Sequence, residues 1–139
     1  MFHRKIDRLF QRAREQFFPS WDLERQWEIV AGRRRRHRGE SGYCSSRDKR
    51  IYIAIDEVPC PDDGLLALII HEVCHGVCNC GHTERWLEEM ANAGRTAEDL
   101  YDPALARKIY SSAYAEIPCN RRWREKWCKR LYPLIYERG

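Results

Sequence analysis

The chain has 139 residues, of which 43% are hydrophobic and 33% charged, and its formal net charge is +4. This length is sufficient for one folded domain and too short for two separate cores. An aromatic content of 12% argues against a disordered chain. The longest apolar run, residues 65–70, is far too short to cross a bilayer, so we expect no membrane association.

The amino-terminal residues carry scattered basic side chains and no continuous apolar stretch, so we expect no signal peptide and a cytoplasmic monomer. The seven cysteines are odd in number and lack paired, regular spacings. This pattern favours mostly reduced thiols over a disulfide framework.

The first predicted element is an amphipathic helix over residues 2–18. Its apolar residues recur at intervals of three and four and form one face: Phe2, Ile6, Leu9, Phe10, Ala13 and Phe17. Pro19 ends this helix. Alternating apolar residues from Trp27 to Ala31 then predict a strand, and a second short strand is expected near Tyr43.

A run of arginines separates these two strands and comprises Arg33, Arg34, Arg35, Arg36 and Arg38. Such a cluster attracts polyanions, because each neutralised phosphate releases counterions. The run could therefore contact DNA. A solvated loop explains it equally well.

The β-branched stretch over residues 50–56 predicts the clearest strand, with Ile51, Ile53 and Ile55 on one face. We expect residues 51–55 to form an edge strand, which could bind a peptide substrate by backbone pairing. The next helix is expected to start at Asp62 or Asp63 as its cap and to end near residues 79–81.

Three further helices are predicted in the carboxy-terminal half. The first covers residues 83–93 and ends at Gly94. The second begins at the Asp102-Pro103 pair and continues to about residue 115. The third is capped by Asn120 and runs to about residue 132, where Pro133 bends or breaks it.

The helix over residues 62–79 carries the sequence His71-Glu72-Val73-Cys74-His75. Residues four apart lie on one helical face, so both imidazoles can point at one cation. Neutral imidazole suits zinc. Glu72 then lies beside the metal, where it can act as the general base that accepts a proton from the attacking water.

A catalytic zinc site needs a third protein ligand and one open position. His82 is the leading candidate, because Gly81 allows the chain to turn back toward the metal. Three carboxylates are alternatives for this ligand: Glu88, Glu89 and Glu98. For stabilising the developing oxyanion, the sequence offers Tyr101, Tyr110, Tyr114 or an arginine and does not choose among them.

Cys74, Cys78 and Cys80 lie close to this motif in sequence. They could form a second metal site or supply a fourth ligand that closes the first one. Small, buried hydrophobic side chains are the alternative interpretation.

The strand over residues 51–55, the His71–His75 helix and the segment from Gly81 to Trp86 together resemble the SprT-like metallopeptidases, a family that includes the Spartan-type DNA–protein crosslink proteases. The similarity covers residues 42–94. The resemblance implies His71, His75 and His82 as zinc ligands and Glu72 as the catalytic base.

We therefore expect a single α+β domain over residues 1–139, of the minimal zincin-like kind. It should contain an amino-terminal helix, a small three-stranded sheet, the HExxH helix and a helical carboxy-terminal half. The expected function is zinc-dependent hydrolysis of protein substrates, including DNA-associated ones. Two alternatives stay open: a regulatory protease for one dedicated partner, and a basic nucleic-acid-binding module with a purely structural zinc.

Overall fold

A computed structural model describes residues 3–33 and 41–137 of the chain. The first helix, α1, comprises Arg4–Arg12 and continues as a π-helical turn over Ala13–Phe17. Its predicted apolar face is confirmed, because Ile6, Leu9 and Phe10 are buried. His3 caps α1 by accepting a hydrogen bond from the Lys5 backbone.

Three strands form one mixed sheet: β1 (Glu28–Gly32), β2 (Gly42–Ser45) and β3 (Arg50–Ala54). β3 lies in the middle, parallel to β1 and antiparallel to β2. The prediction that residues 51–55 form an edge strand is therefore wrong, since both sides of β3 are paired. The edge strands are β1 and β2, and Gly42 of β2 lies opposite Ile53 of β3.

The end of β3 also differs from the prediction. Ile51 and Ile53 are buried on one face as expected, but Ile55 is 38% exposed. The strand stops at Ala54, and Ile55–Glu57 form a short 3₁₀ turn. Ile55 therefore leaves the alternating pattern of the strand.

The three long helices are α2 (Asp62–Cys78), α3 (Glu84–Asp99) and α4 (Pro103–Ala115). α2 begins after Pro61, so neither Asp62 nor Asp63 is its cap residue. α4 starts with Asp102 accepting a hydrogen bond from the Leu105 backbone, as the Asp-Pro pair predicts.

Gly94 does not end α3, which continues for five more residues to Asp99. It is instead the point where α3 crosses α4: a Cβ atom at position 94 would overlap the ring of Tyr110. The sequence signal of a helix stop was in fact a signal of close packing.

The carboxy-terminal segment is capped by Asn120, whose side chain accepts from two backbone amides. It alternates α-helical and π-helical turns through α5 (Arg121–Trp123), Arg124–Cys128, α6 (Lys129–Tyr132) and Pro133–Glu137. The α-helix ends at Tyr132, as predicted, but Pro133 does not stop the helical path, which continues as a π-helical turn over Pro133–Glu137.

One hydrophobic cluster links α1, the sheet and the helices, and its largest fully buried side chains are Trp86 and Trp127. The architecture is α+β with a small mixed sheet, as predicted. Across residues 3–33 and 41–137, no helix combines the length and apolar character that crossing a bilayer requires.

Candidate metal centre

The helix α2 ends immediately after the histidine motif. Asn79 adopts the left-handed conformation (φ 51°), and its backbone amide donates to the carbonyl oxygen of His75. Left-handed residues are common helix stops, with Asn second to Gly. The chain then turns and enters α3, where Thr83 caps the helix by accepting from the Trp86 backbone.

This turn brings His82 onto the two histidines of α2. The Nε2 atom of His82 lies 3.2 Å from Nε2 of His71 and 3.2 Å from Nε2 of His75. Tetrahedral ligands bonded to zinc at about 2.0–2.1 Å are separated by about 3.3 Å. These three residues, which we call the histidine centre, could therefore bind one metal ion.

The other ring nitrogen of each histidine has its own partner. His75 Nδ1 lies 2.8 Å from the Cys80 carbonyl oxygen, and His82 Nδ1 lies 3.2 Å from a carboxylate oxygen of Glu116. Both partners accept a hydrogen bond from Nδ1–H, which leaves the Nε2 lone pair for a metal. His71 Nδ1 lies 2.8 Å from the Ser112 hydroxyl, which fixes the orientation of that ring.

Trp86 packs against all three rings of the histidine centre. It is completely buried. The centroid of its ring lies 4.7 Å from those of His71 and His82 and 5.2 Å from that of His75. Its indole Nε1–H donates to the His71 carbonyl oxygen at 3.2 Å. All three imidazole rings thus contact the same buried side chain, which restricts their orientations.

Burial sets the protonation state of this centre. Burial, followed by the charges of His75 and His82, lowers the pKa of His71 from 6.5 to about 3. Burial also lowers the pKa of His75. Both rings are therefore neutral near pH 7, the form in which imidazole binds a metal.

Glu72 lies beside the histidine centre. It is 6% exposed, and one of its carboxylate oxygens is 4.0 Å from His71 Nε2. A Cβ atom at Gly42 of β2 would stand 2.9 Å from that same oxygen and 3.1 Å from Glu72 Cγ. Because Gly42 has no side chain, the Glu72 carboxylate can lie directly against the backbone of β2.

The histidine centre and Glu72 line a cleft of about 830 Å³, which we call the site cleft. β2 contributes Gly42, Tyr43 and Cys44 to its wall, and α4 contributes Ser112 and Glu116. An edge strand along a cleft of this size can pair with an extended peptide. The edge strand that lines the site cleft is β2, whereas residues 51–55, which the sequence suggested, do not form an edge.

The alternative ligands of the sequence analysis do not reach the histidine centre. In the described part of the chain, the group of side chains that could hold a metal ion contains His71, His75 and His82 but not Glu88, Glu89 or Glu98. Glu88 is instead bound by Arg130 at 2.8 Å on the far face of α3. His82 is thus the third histidine of the group, as predicted.

The nearby cysteines do not complete the centre either. Cys78 and Cys80 form a disulfide, so neither offers a thiolate. Cys74 is buried as a small core residue, and burial raises its pKa well above 9.0. Five cysteines of the described residues are free, in line with the predicted mostly reduced thiols.

The three candidate tyrosines lie away from the site cleft. Tyr101 is 93% exposed at the turn after α3, and Tyr110 is buried against Gly94. The ring of Tyr114 packs with those of Tyr132 and Tyr136. None of the three lines the site cleft as far as the structure describes it.

Of the arginine run, Arg33 is exposed directly after β1. Arg34, Arg35, Arg36 and Arg38 lie outside the described residues. Their proposed contact with DNA stays a prediction.

The sequence analysis missed Ser112 and Glu116. Ser112 lies on α4 and holds His71, and Glu116, four residues later and directly after the end of α4, holds His82. Their spacing would have placed them on one helical face, but only the tertiary packing of α4 against α2 shows that this face meets the motif.

Searches of protein-family models, curated proteins and solved structures found no match to this chain.

Proposed function

We propose that this protein is a zinc-dependent endopeptidase of the SprT-like, minimal zincin kind. The observation that carries the proposal is the convergence of three imidazoles next to a buried carboxylate in an open cleft, with His82 Nε2 lying 3.2 Å from Nε2 of each of the other two. The strand, helix and turn that present these groups follow the order that the resemblance implies.

His71, His75 and His82 would hold the ion, and Ser112, Cys80 and Glu116 would orient them. A zinc ion bound there would polarise the scissile carbonyl group and acidify water. The donor set fits this ion, because neutral imidazoles at tetrahedral spacing are typical catalytic zinc ligands.

The remaining steps belong to the chain. Glu72 accepts the proton of the attacking water and then donates it to the leaving amine, since it lies 4.0 Å from the nearest metal-facing nitrogen. β2 binds the substrate in extended form along the site cleft. Burial of Glu72 limits competition from bulk water for its proton.

The Glu72→Gln substitution tests the role of the base. We expect zinc stoichiometry to be unchanged and cleavage of fluorogenic peptides to fall by about 10²- to 10⁴-fold, because Gln cannot accept the proton. Glu125→Gln is the matched control, since Glu125 is exposed and paired with Arg121 far from the site cleft. Undiminished proteolysis in Glu72→Gln would reject the assignment.

X-ray absorption spectroscopy of the zinc-loaded protein separates this function from a purely structural zinc. We expect nitrogen ligands plus an exchangeable oxygen and no sulfur, because Cys78 and Cys80 are joined to each other. A sulfur ligand in the fourth position would close the site and reject catalysis.

The range of substrates distinguishes a general protease from a regulatory one. Zinc-loaded Glu72→Gln protein retains the cleft but not the base, so it should hold its substrates for a pull-down. Capture of many DNA-associated proteins favours the general protease, and capture of one dedicated partner favours the regulatory alternative.

A further inference from the structure

A second depression opens next to the site cleft, between α2 and α4. It has a volume of about 550 Å³. Leu68 and Ser112 line both the site cleft and this depression, so the two spaces adjoin. We call it the basic groove.

The basic groove carries positive charge on one wall. Arg107 and Lys108 project from α4 and are exposed, with the hydroxyl-bearing Ser111 beside them. No acidic side chain lines the groove in the part of the chain that the structure describes. The acidic Asp62 at the start of α2 is engaged elsewhere, at 3.7 Å from Lys5 and 3.1 Å from Arg8.

The opposite wall of the basic groove includes Gly64, which has no side chain to project into the groove. This glycine lies inside α2, where Gly is about 1 kcal/mol less favourable than Ala. Gly94 and Gly42 are required by atoms that a Cβ would meet, but no atom lies within 4 Å of a Cβ built at Gly64, and its φ is not positive. Packing therefore gives no reason for this glycine, whereas an open groove does.

The position of the groove relates it to the scissile bond. Leu68 precedes His71 by about one helical turn, and Gly64 precedes it by about 10 Å along the α2 axis. An extended peptide advances about 3.3 Å per residue. A side chain within about three residues of the bond cleaved at the histidine centre can thus enter the groove.

We propose that the basic groove is a specificity subsite that accepts an acidic side chain of the substrate, an inference that rests on the proposed endopeptidase function. Arg107 and Lys108 pair with the substrate carboxylate, and the space above Gly64 accommodates its stem. The substrate class is accordingly a protein segment with Asp or Glu within about three residues of the cleaved bond.

The experiment uses pairs of fluorogenic peptides that are identical except for Glu or Gln at one position near the cleaved bond. At low salt, we expect kcat/KM to be about five- to tenfold higher for the Glu peptide at one of these positions, since two exposed ion pairs form. The double variant Arg107→Gln/Lys108→Gln should lose this preference, so that its ratio of kcat/KM for the Glu and Gln peptides falls to about one.

The matched control is Arg85→Gln/Arg95→Gln, which removes two exposed arginines of α3 that line neither space. This control should retain the full preference for Glu. Equal cleavage of the Glu and Gln peptides at all positions would overturn the inference, and so would a preference that survives the Arg107→Gln/Lys108→Gln change. In both cases the endopeptidase function would still stand.

Binding provides the readout that does not depend on hydrolysis. Fluorescence anisotropy on zinc-loaded Glu72→Gln protein should show about five- to tenfold tighter binding of the labelled Glu peptide than of its Gln twin. If no variant cleaves any peptide, the proposed function fails. The binding difference alone then tests the proposed subsite. A preference for the Glu peptide that is lost in the Arg107→Gln/Lys108→Gln variant supports the subsite. No preference in the unmodified groove, or a preference that persists in the double variant, rejects it.

Discussion

The histidine centre and the contact between α3 and α4 both join separate segments of the chain, the first through polar contacts and the second through close packing. At the histidine centre, each of the three imidazoles has a hydrogen-bonding partner on another segment. At the α3–α4 contact, Gly94 leaves room for the buried ring of Tyr110. The first arrangement places the rings of His71 and His75 where burial disfavours their charged forms, whereas the second packs a large ring closely against a helix backbone.

This difference implies a division of labour that substitutions can test. Changes at the histidine centre should alter metal binding more than the stability of the metal-free protein. Changes at the α3–α4 contact should alter stability and leave the intrinsic metal affinity of the folded protein unchanged.

The largest effect is expected for His82→Ala, which removes one of the three converging nitrogens. Loss of a partner that only orients a ligand lowers metal affinity about 10- to 100-fold, so loss of the ligand itself should lower it by more than about 100-fold. Isothermal titration with zinc in competition with a chelator measures the change. His3→Asn is the control, because it removes a histidine of α1 but keeps a cap acceptor.

An affinity of His82→Ala within about tenfold of the unmodified protein would mean that the metal, if bound, uses another third ligand. Urea unfolding of the metal-free variant should give a midpoint close to that of the unmodified protein, since His82 is 39% exposed as a side chain.

The next largest effect tests the other region. Gly94→Ala should lower the free energy of unfolding by about 2 kcal/mol, because the added methyl group overlaps the buried Tyr110 ring and overpacking costs about 1–3 kcal/mol. Urea unfolding of the metal-free protein measures this change. Zinc affinity of the folded variant should not change.

Gly64→Ala is the matched control, since it makes the same substitution in α2 where nothing lies within 4 Å of the new Cβ. It should raise the free energy of unfolding by up to about 1 kcal/mol through helix propensity. The same sign for both variants would contradict the packing role of Gly94.

A smaller effect is expected for Ser112→Ala, which removes the hydroxyl held 2.8 Å from His71 Nδ1. Zinc affinity should fall about tenfold, because the imidazole is no longer held in its metal-facing orientation. Ser111→Ala, one residue earlier on α4, is the control and should leave affinity unchanged. Equal affinity in both variants would show that Trp86 alone orients the ring.

The features that were predictable from sequence are those fixed by neighbours along the chain. The spacing of His71 and His75, the stop near Asn79 and the return of His82 all follow from helical geometry and turn chemistry. These local signals were sufficient to predict the three residues of the histidine centre.

The features that could not be predicted depend on which elements meet in space. Gly94 had the local signature of a helix stop, but the proximity of Tyr110 decides its role. The strand at Ile51 was recognised, yet only pairing on both sides makes it central and leaves β2 as the edge. Ser112 and Glu116 likewise carry no signal until α4 packs on α2.

The smallest effect concerns the pH dependence of the metal-free protein. Burial and the neighbouring histidines lower the pKa of His71 to about 3 in the folded state, against about 6.5 when unfolded. The unfolded chain therefore takes up the proton first. The contribution of His71 to stability is complete above pH 6.5 and is lost as the pH falls toward 3.

Urea unfolding in the presence of a chelator should thus show stability falling between pH 7 and 5.5, before most carboxylates titrate. The slope below pH 6.5 should approach about 1 kcal/mol per pH unit for His71, with a further contribution of the same sign from His75, whose pKa is also lowered. His71→Gln should flatten this slope, whereas Gly94→Ala should shift the whole curve down without changing it. A slope that is equal in all three proteins would show that the histidine centre does not control the response to acid, and the contrast between the titrating histidine centre and the close packing at Gly94 would then fail.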